Sequence, residues 1–161
     1  MGTDALFLAE RGYEVTLTDV EGPTLRFARH RFTRRGRTAR FLPSASMVPE
    51  PDAVYDVAIC FDVFEHLPEP LDAARRLVAA LRTGGLLVEK GSFSGSDTHP
   101  YHLKGHEARY GGLRWHCWLS GLGLRYVGGN TIHRKAGGLE ALVQRARYGL
   151  WRAAGLWVLR V

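Results

Sequence analysis

The sequence predicts an α/β fold with a doubly wound, mostly parallel sheet. Along the first 93 residues, strand-like segments alternate with segments of helical periodicity. The connections between them are short and are marked by Gly or Pro. The stretch YDVAICFDV is an almost continuous apolar run of strand length, which is typical of a strand buried on both faces of a parallel sheet.

The first elements follow from local signals. An apolar helical run begins after Thr3 or Asp4, either of which can cap it, and ends at Gly12. YEVTLTDV then alternates apolar and polar residues and predicts a strand that ends at Asp19. PTLRFARHRFTRRG, with proline in its first turn and glycine at its end, predicts the second helix.

The later elements continue the alternation. ARFLPSAS and YDVAICFDV predict two strands, and LDAARRLVAALRTGG predicts a helix that ends at Gly84 and Gly85. LLVEKGSF is the next predicted strand. The polar loop that follows Phe93 is long enough to be a binding loop. A short helix, a last strand or strand pair and a helical tail complete the prediction.

Length and composition predict one domain. The chain has 161 residues, of which 45% are apolar and 24% charged, enough for a single globular core. The prediction is one domain over residues 1–161, with parts at 1–93, 94–135 and 136–161.

Charge and cysteine content constrain partners and location. The net charge of +6 would attract nucleic acid, an anionic membrane or an acidic small molecule. Its densest run, RFARHRFTRRGRTAR, lacks regularly interleaved aromatic residues, which favours a solvated helix face over a nucleic-acid site. Cys60 and Cys117 have no CxxC or metal-binding spacing, so no disulfide framework and no metal site are predicted. The cysteine content favours a reducing, cytoplasmic location.

Membrane insertion is not predicted. No apolar run approaches the roughly 20 residues that a spanning helix needs. The C-terminal stretch LEALVQRARYGLWRAAGLWVLRV mixes Leu, Val and Trp with Arg, which suits a helix on a membrane surface or packing against the core. Packing is the favoured interpretation.

Candidate ligand positions lie where strands end, because open parallel sheets bind ligands beyond the carboxyl ends of their strands. Asp19 ends one predicted strand, and its carboxylate could accept hydrogen bonds from the two hydroxyls of a ribose. CFDVFEHLPEP places Asp62, Glu65 and His66 directly after another strand.

Residues 55–93 resemble class I S-adenosylmethionine-dependent methyltransferases, which carry a DxxEH-L-P stretch and a helix ending in a Gly-Gly turn before the next strand. LAERGYEVTLTDV resembles the first helix and second strand of this family, so the resemblance covers Gly2 to Phe93. The loop sequence THPYHL is similar to a loop of many members. The resemblance implies a Rossmann-like fold, S-adenosylmethionine as cofactor and a small-molecule acceptor.

The resemblance also implies roles for single residues. Asp19 matches the acid that holds the cofactor ribose, with Val20 beside the adenine, and Ser44 stands where the family usually has an Asp. Glu65 and His66 match a pair that faces cofactor and acceptor. The implied cofactor-binding residues are Gly2, Asp19, Val20, Ser44, Ala45, Phe61, Asp62 and Glu65.

The glycine-rich loop departs from the family pattern. Family members have a turn with three glycines between the first strand and first helix, whereas only Gly2 matches here. The expectation is an N-terminally truncated form of the fold, without the first strand and most of this loop, with Met1 as a start inside a longer reading frame.

The implied reaction is displacement of a methyl group from a sulfonium by an oxygen, nitrogen or carbon nucleophile, and the sequence does not identify the acceptor. A hydroxyl acceptor needs a general base. Because histidine titrates near neutral pH, His66 and His102 are the predicted catalytic residues, with His99 a further possibility.

Two alternatives remain open on sequence alone. A non-catalytic methyltransferase-like fragment could bind a partner through its basic face. A nicotinamide-dependent Rossmann oxidoreductase would also place an acid at the end of the second strand, although the Glu-His-Leu-Pro stretch has no role there.

Overall fold

The computed structural model describes residues 2–43, 54–95, 102–103, 105–129 and 131–153. Within the chain there are two compact units, Met1–Val48 and Pro49–Val161. Among the described residues, no helix is long and apolar enough to cross a membrane.

The described residues of the first unit, 2–43, form two helices and a two-stranded parallel sheet. Its elements are α1 (Thr3–Glu10), β1 (Thr16–Asp19), α2 (Pro23–Arg34) and β2 (Arg40–Pro43). They confirm the four elements predicted for this part of the sequence. The helices bury Leu6 and Ala9 on α1 and Leu25, Ala28 and Phe32 on α2. Leu6, Ala9 and Phe32 form the apolar cluster of the unit.

The second unit is built on a four-stranded sheet in the order β3-β4-β6-β5. A 3₁₀ turn over Phe64–His66 follows β3. The elements are β3 (Tyr55–Phe61), α3 (Pro70–Ala80), β4 (Leu81–Lys90), α4 (His106–Tyr110), α5 (Leu113–Gly121), β5 (Leu124–Gly128), β6 (Ile132–Lys135) and α6 (Gly138–Ala153).

The α/β class is confirmed, with a more mixed sheet than predicted. The ladders β1–β2 and β3–β4 are parallel, whereas β4–β6 and β5–β6 are antiparallel. The reason is that β5 and β6 are joined by a short connection, which antiparallel neighbours allow and parallel ones do not.

Two local predictions are wrong. The helix α3 ends at Ala80, and Gly84 and Gly85 lie within β4, where the ladder to β3 is irregular between Tyr55 and Val57. Burial of β3 on both faces is also wrong. This strand is an edge of its sheet, and Val57, Ile59 and Phe61 are 46%, 44% and 42% exposed.

The core of the second unit holds the segment after β3 in place. The ring of Trp115, on α5, lies 4.9 Å from that of Phe64 and 4.9 Å from that of Phe93. All three side chains are at least 95% buried. The 3₁₀ turn, the end of β4 and α5 are therefore packed around one aromatic cluster.

Candidate active site

Gly2 begins α1 in a conformation that favours glycine. Its φ is +61°, and its carbonyl accepts the N–H of Leu6 at 2.9 Å. A Cβ at this position would lie 3.1 Å from Cδ1 of Leu17 and 3.2 Å from Cβ of Ala28. The absence of a side chain thus lets the start of α1 approach β1 and α2 closely.

Asp19 ends β1 with a half-buried carboxylate. Its Oδ1 accepts the backbone N–H of Val20 at 2.7 Å, and no other hydrogen bond to it occurs among the described residues. The second carboxylate oxygen can therefore accept from a ligand hydroxyl. The side chain of Val20, the next residue, is 66% exposed. Ser44 and Ala45 lie outside the described residues.

The chain turns sharply after β3. Phe61 pairs with Lys90, and the N–H of Asp62 donates to the carbonyl of Lys90 at 2.6 Å. Asp62 has φ of +51° and is the one non-glycine residue with positive φ in the described part of the chain. A non-glycine residue in this region is strained, and such residues concentrate at functional sites.

Glu65 is a buried acid on the 3₁₀ turn. It is 2% exposed, and its Oε1 accepts the backbone N–H of Ser92 at 3.1 Å. Its Oε2 is buried and has no hydrogen-bond partner among the described residues. Gly91 leaves room for this oxygen, because a Cβ there would come within 2.8 Å of it. A buried acceptor without a partner is costly, so Glu65 is suited to receive a ligand donor.

The structure brings His66 and His102 together with Glu65. The ring centroids of His66 and His102 lie 5.2 Å apart, and one donor atom from each of the three residues lies within 4.8 Å of the others. We call Glu65, His66 and His102 the outer cluster. His66 is exposed and His102 half-buried. The cluster offers acid–base chemistry or ligands for a cation.

The tautomer of neutral His102 follows from its contact with the backbone. Its Nδ1 lies 2.7 Å from the carbonyl oxygen of Ser94. A carbonyl can only accept, so Nδ1 carries the proton and Nε2 is the basic nitrogen. His99 and Tyr101 lie outside the described residues.

A second group of the same composition was not predicted from the sequence. Glu89 on β4, His116 on α5 and His133 on β6 also place one donor atom each within 4.8 Å of the others. We call these residues the inner cluster. Three different elements contribute them, so no sequence spacing signals the group. Only the folded ladders reveal it.

Burial shifts the pKa values of two side chains, His116 of the inner cluster and Cys60 on β3. The pKa of His116 is lowered by burial and then by neighbouring His133, while Glu89 opposes the change. Burial raises the pKa of Cys60 to about 12, with smaller contributions from Glu89 and Glu65. The thiol of Cys60 is therefore a poor nucleophile.

Comparison with known proteins identifies the family. A family model described as "Methyltransferase domain" matches residues 1–88. The chain belongs to this family, the class I S-adenosylmethionine-dependent methyltransferases. The family resemblance seen in the sequence is thereby confirmed.

Two curated relatives are methyltransferases of different acceptors. A ubiquinone biosynthesis O-methyltransferase of Idiomarina loihiensis is 30% identical over 80 residues, covering 48% of this chain and 33% of that protein. A glycine N-methyltransferase of Oryctolagus cuniculus is 31% identical over 106 residues, covering 54% of this chain and 36% of that protein. The matched regions thus span about a third of each relative's length.

A solved structure extends the likeness in fold beyond the family match. The structure of the cyclase SpnF superposes with a TM-score of 0.65 at 21% identity. The likeness covers 96% of this chain and 58% of that one. It supports the α/β architecture of the chain and carries no information on the reaction.

Proposed function

We propose that this chain binds S-adenosylmethionine and transfers its methyl group to a small-molecule acceptor. The observation that carries the proposal is the outer cluster. In a chain of this family, a buried acid and two histidines converge directly after a strand of the parallel ladder.

The cofactor would supply an electrophilic methyl group on a sulfonium, and this chain's residues would bind and orient it. Asp19 would accept hydrogen bonds from the ribose hydroxyls, and Val20 would lie against the adenine. The oxygen of Asp19 that Val20 does not engage supports this role. Gly2 would hold the start of α1 beside the cofactor, because its positive φ and lack of a Cβ let α1 begin against Leu17 and Ala28.

The segment after β3 would contribute the remaining contacts. Phe61 and Asp62 would line the cofactor, and Glu65 would accept a hydrogen bond at its unpartnered Oε2. Ser44 and Ala45, which lie outside the described residues, would lie near the adenine. The left-handed conformation of Asp62 supports a functional role for this turn.

On the acceptor side, His102 would act as general base. Its Nδ1 is fixed on the carbonyl of Ser94, so its Nε2 would take the proton that a hydroxyl acceptor loses. His66 lies next to it and would position the acceptor or share that proton. Because a base of this kind benefits a hydroxyl most, the favoured acceptor is a small molecule with a hydroxyl group.

The proposal is tested by calorimetric titration of S-adenosylhomocysteine into the whole chain. We expect binding, and we expect Asp19→Asn to bind about tenfold to a hundredfold more weakly, because a hydrogen bond to a charged group is worth about 1.5–3 kcal/mol. Glu14→Gln is the control, since Glu14 is an exposed acid that loses the same charge.

Each outcome separates the proposal from its alternatives. Equal losses in Asp19→Asn and Glu14→Gln would contradict the role of Asp19. Binding of a nicotinamide dinucleotide in place of S-adenosylhomocysteine would indicate an oxidoreductase. A folded chain that binds neither would indicate a binding module.

A further inference from the structure

The inner cluster contains a buried carboxylate with little to balance its charge. Glu89 is 2% exposed. Its Oε2 accepts the indole N–H of Trp115 at 3.2 Å, and its Oε1 lies 3.4 Å from Nε2 of His133. Both distances are at or beyond the long end of the hydrogen-bond range. No Lys or Arg among the described residues pairs with Glu89, and buried charges require a partner or a metal.

Two of the three distances between donor atoms match those between the ligands of a metal ion, and all three atoms lie within 4.8 Å of one another. Nε2 of His133 lies 3.4 Å from Oε1 of Glu89 and also 3.4 Å from Nδ1 of His116. Ligands about 2.0–2.1 Å from a tetrahedral zinc ion lie about 3.3 Å from one another. A six-coordinate ion with ligands at right angles would bring them to about 3.0 Å.

We propose that the inner cluster is a zinc site whose three protein ligands are Nε2 of His133, Nδ1 of His116 and Oε1 of Glu89. Two imidazoles and a carboxylate are a common ligand set for zinc, with a fourth position left for water or another ligand. His116 is only half-buried, so it forms the accessible side of the site. The sequence, which has no cysteine-based metal spacing, gives no sign of it.

The surroundings of the cluster support a built site. The indole N–H of Trp115 holds the carboxylate oxygen that the metal would not use, which is how outer residues orient metal ligands. Glu89 and His133 lie on paired elements of the sheet, since β4 and β6 form a ladder. Zinc would therefore link α5 to β4 and β6 and hold Trp115 of α5 in its contact with Phe64.

The test is the zinc content of the whole chain after loading with zinc chloride and dialysis against metal-free buffer. We expect about one zinc ion bound by the inner cluster. His116→Ala should bind one zinc fewer than the wild type, and Glu89→Gln, which keeps the shape of the side chain, should do the same. His30→Ala removes an exposed histidine of α2 and should leave the content unchanged.

His66→Ala distinguishes the two clusters. If zinc is lost in His66→Ala and kept in His116→Ala, the metal belongs to the outer cluster and the proposal is overturned. It is also overturned if the wild type retains no zinc, or if His116→Ala retains as much as the wild type.

Spectroscopy tests the choice of metal. Cobalt(II) in place of zinc should give the strong visible absorption of a tetrahedral site, and His116→Ala should lose it. Displacement of zinc by equimolar ferrous iron would overturn the zinc assignment in favour of a six-coordinate iron site.

Discussion

The outer and inner clusters contain the same residue types, one buried glutamate and two histidines, and differ in the burial of one histidine: His66 is exposed, whereas His133 is buried. In the outer cluster only Glu65 is buried. His66 lies on the 3₁₀ turn, and His102 lies in the segment before α4. In the inner cluster Glu89 on β4 and His133 on β6 are both buried, and half-buried His116 lies on α5. The exposed imidazole of His66 can exchange protons and meet an acceptor, whereas the buried imidazole of His133 needs a fixed partner. Position in the fold, more than composition, thus separates a proposed catalytic group from a proposed metal site.

The largest expected effect comes from removing the indole of Trp115, which donates a hydrogen bond to Glu89 of the inner cluster. Trp115→Ala should lower the free energy of unfolding by about 3–5 kcal/mol, because it opens a cavity in the aromatic core and removes a donor from Glu89. Trp115→Phe keeps most of the packing and should cost about 1–3 kcal/mol, mainly the lost N–H. Urea unfolding of chelator-treated protein measures both.

Leu113→Ala is the control for both variants. Leu113 lies on the same helix but is 80% exposed, so its loss should change the free energy of unfolding by no more than about 0.5 kcal/mol. Equal costs for Trp115→Ala and Trp115→Phe would show that the N–H to Glu89 accounts for the whole effect and that the ring packing adds nothing.

A substitution at Gly91 tests the packing around Glu65 of the outer cluster and should change the free energy of unfolding less than the loss of Trp115. Gly91→Ala should place a Cβ within 2.8 Å of Oε2 of Glu65 and displace that carboxylate. The expected cost is about 1 kcal/mol, at the low end for overpacking because the contact is with the tip of a side chain. The unfolding midpoint in urea measures it.

Gly149→Ala is the control for Gly91→Ala, because it adds the same methyl group at a position with room for it. Gly149 lies in α6, and a Cβ there would have no neighbour within 4 Å. It should stabilise the chain by about 0.5–1 kcal/mol through helix propensity. If Gly91→Ala left the midpoint unchanged or raised it as Gly149→Ala should, the close approach of a Cβ at position 91 to Glu65 would be disproved.

Local signals predicted most of the fold. Pro23 and Gly36 bracket α2 closely, and the apolar run from Tyr55 became β3. The end of α3 was misplaced because the Gly84-Gly85 pair is typical of a helix end. In the fold, Leu81 instead pairs with Tyr55, and the strand begins before the glycines. Pairing with a distant strand overrode the local preference.

The proximity of two candidate residues was foreseeable where neighbours in sequence carried the signal. Glu65 and His66 are adjacent in one motif, so their shared location followed from the sequence, and the structure brings His102 close to them. Their chemical roles remain predictions. The inner cluster could not be foreseen, because Glu89, His116 and His133 meet only after β4, α5 and β6 pack.

The most direct test of the central claim is amide hydrogen exchange of the whole chain with and without S-adenosylhomocysteine. We expect slower exchange at Val20, next to the carboxylate of Asp19, and across Asp62–His66 when the ligand is bound. Binding that leaves exchange unchanged at both places, or no binding by a folded chain, would contradict it.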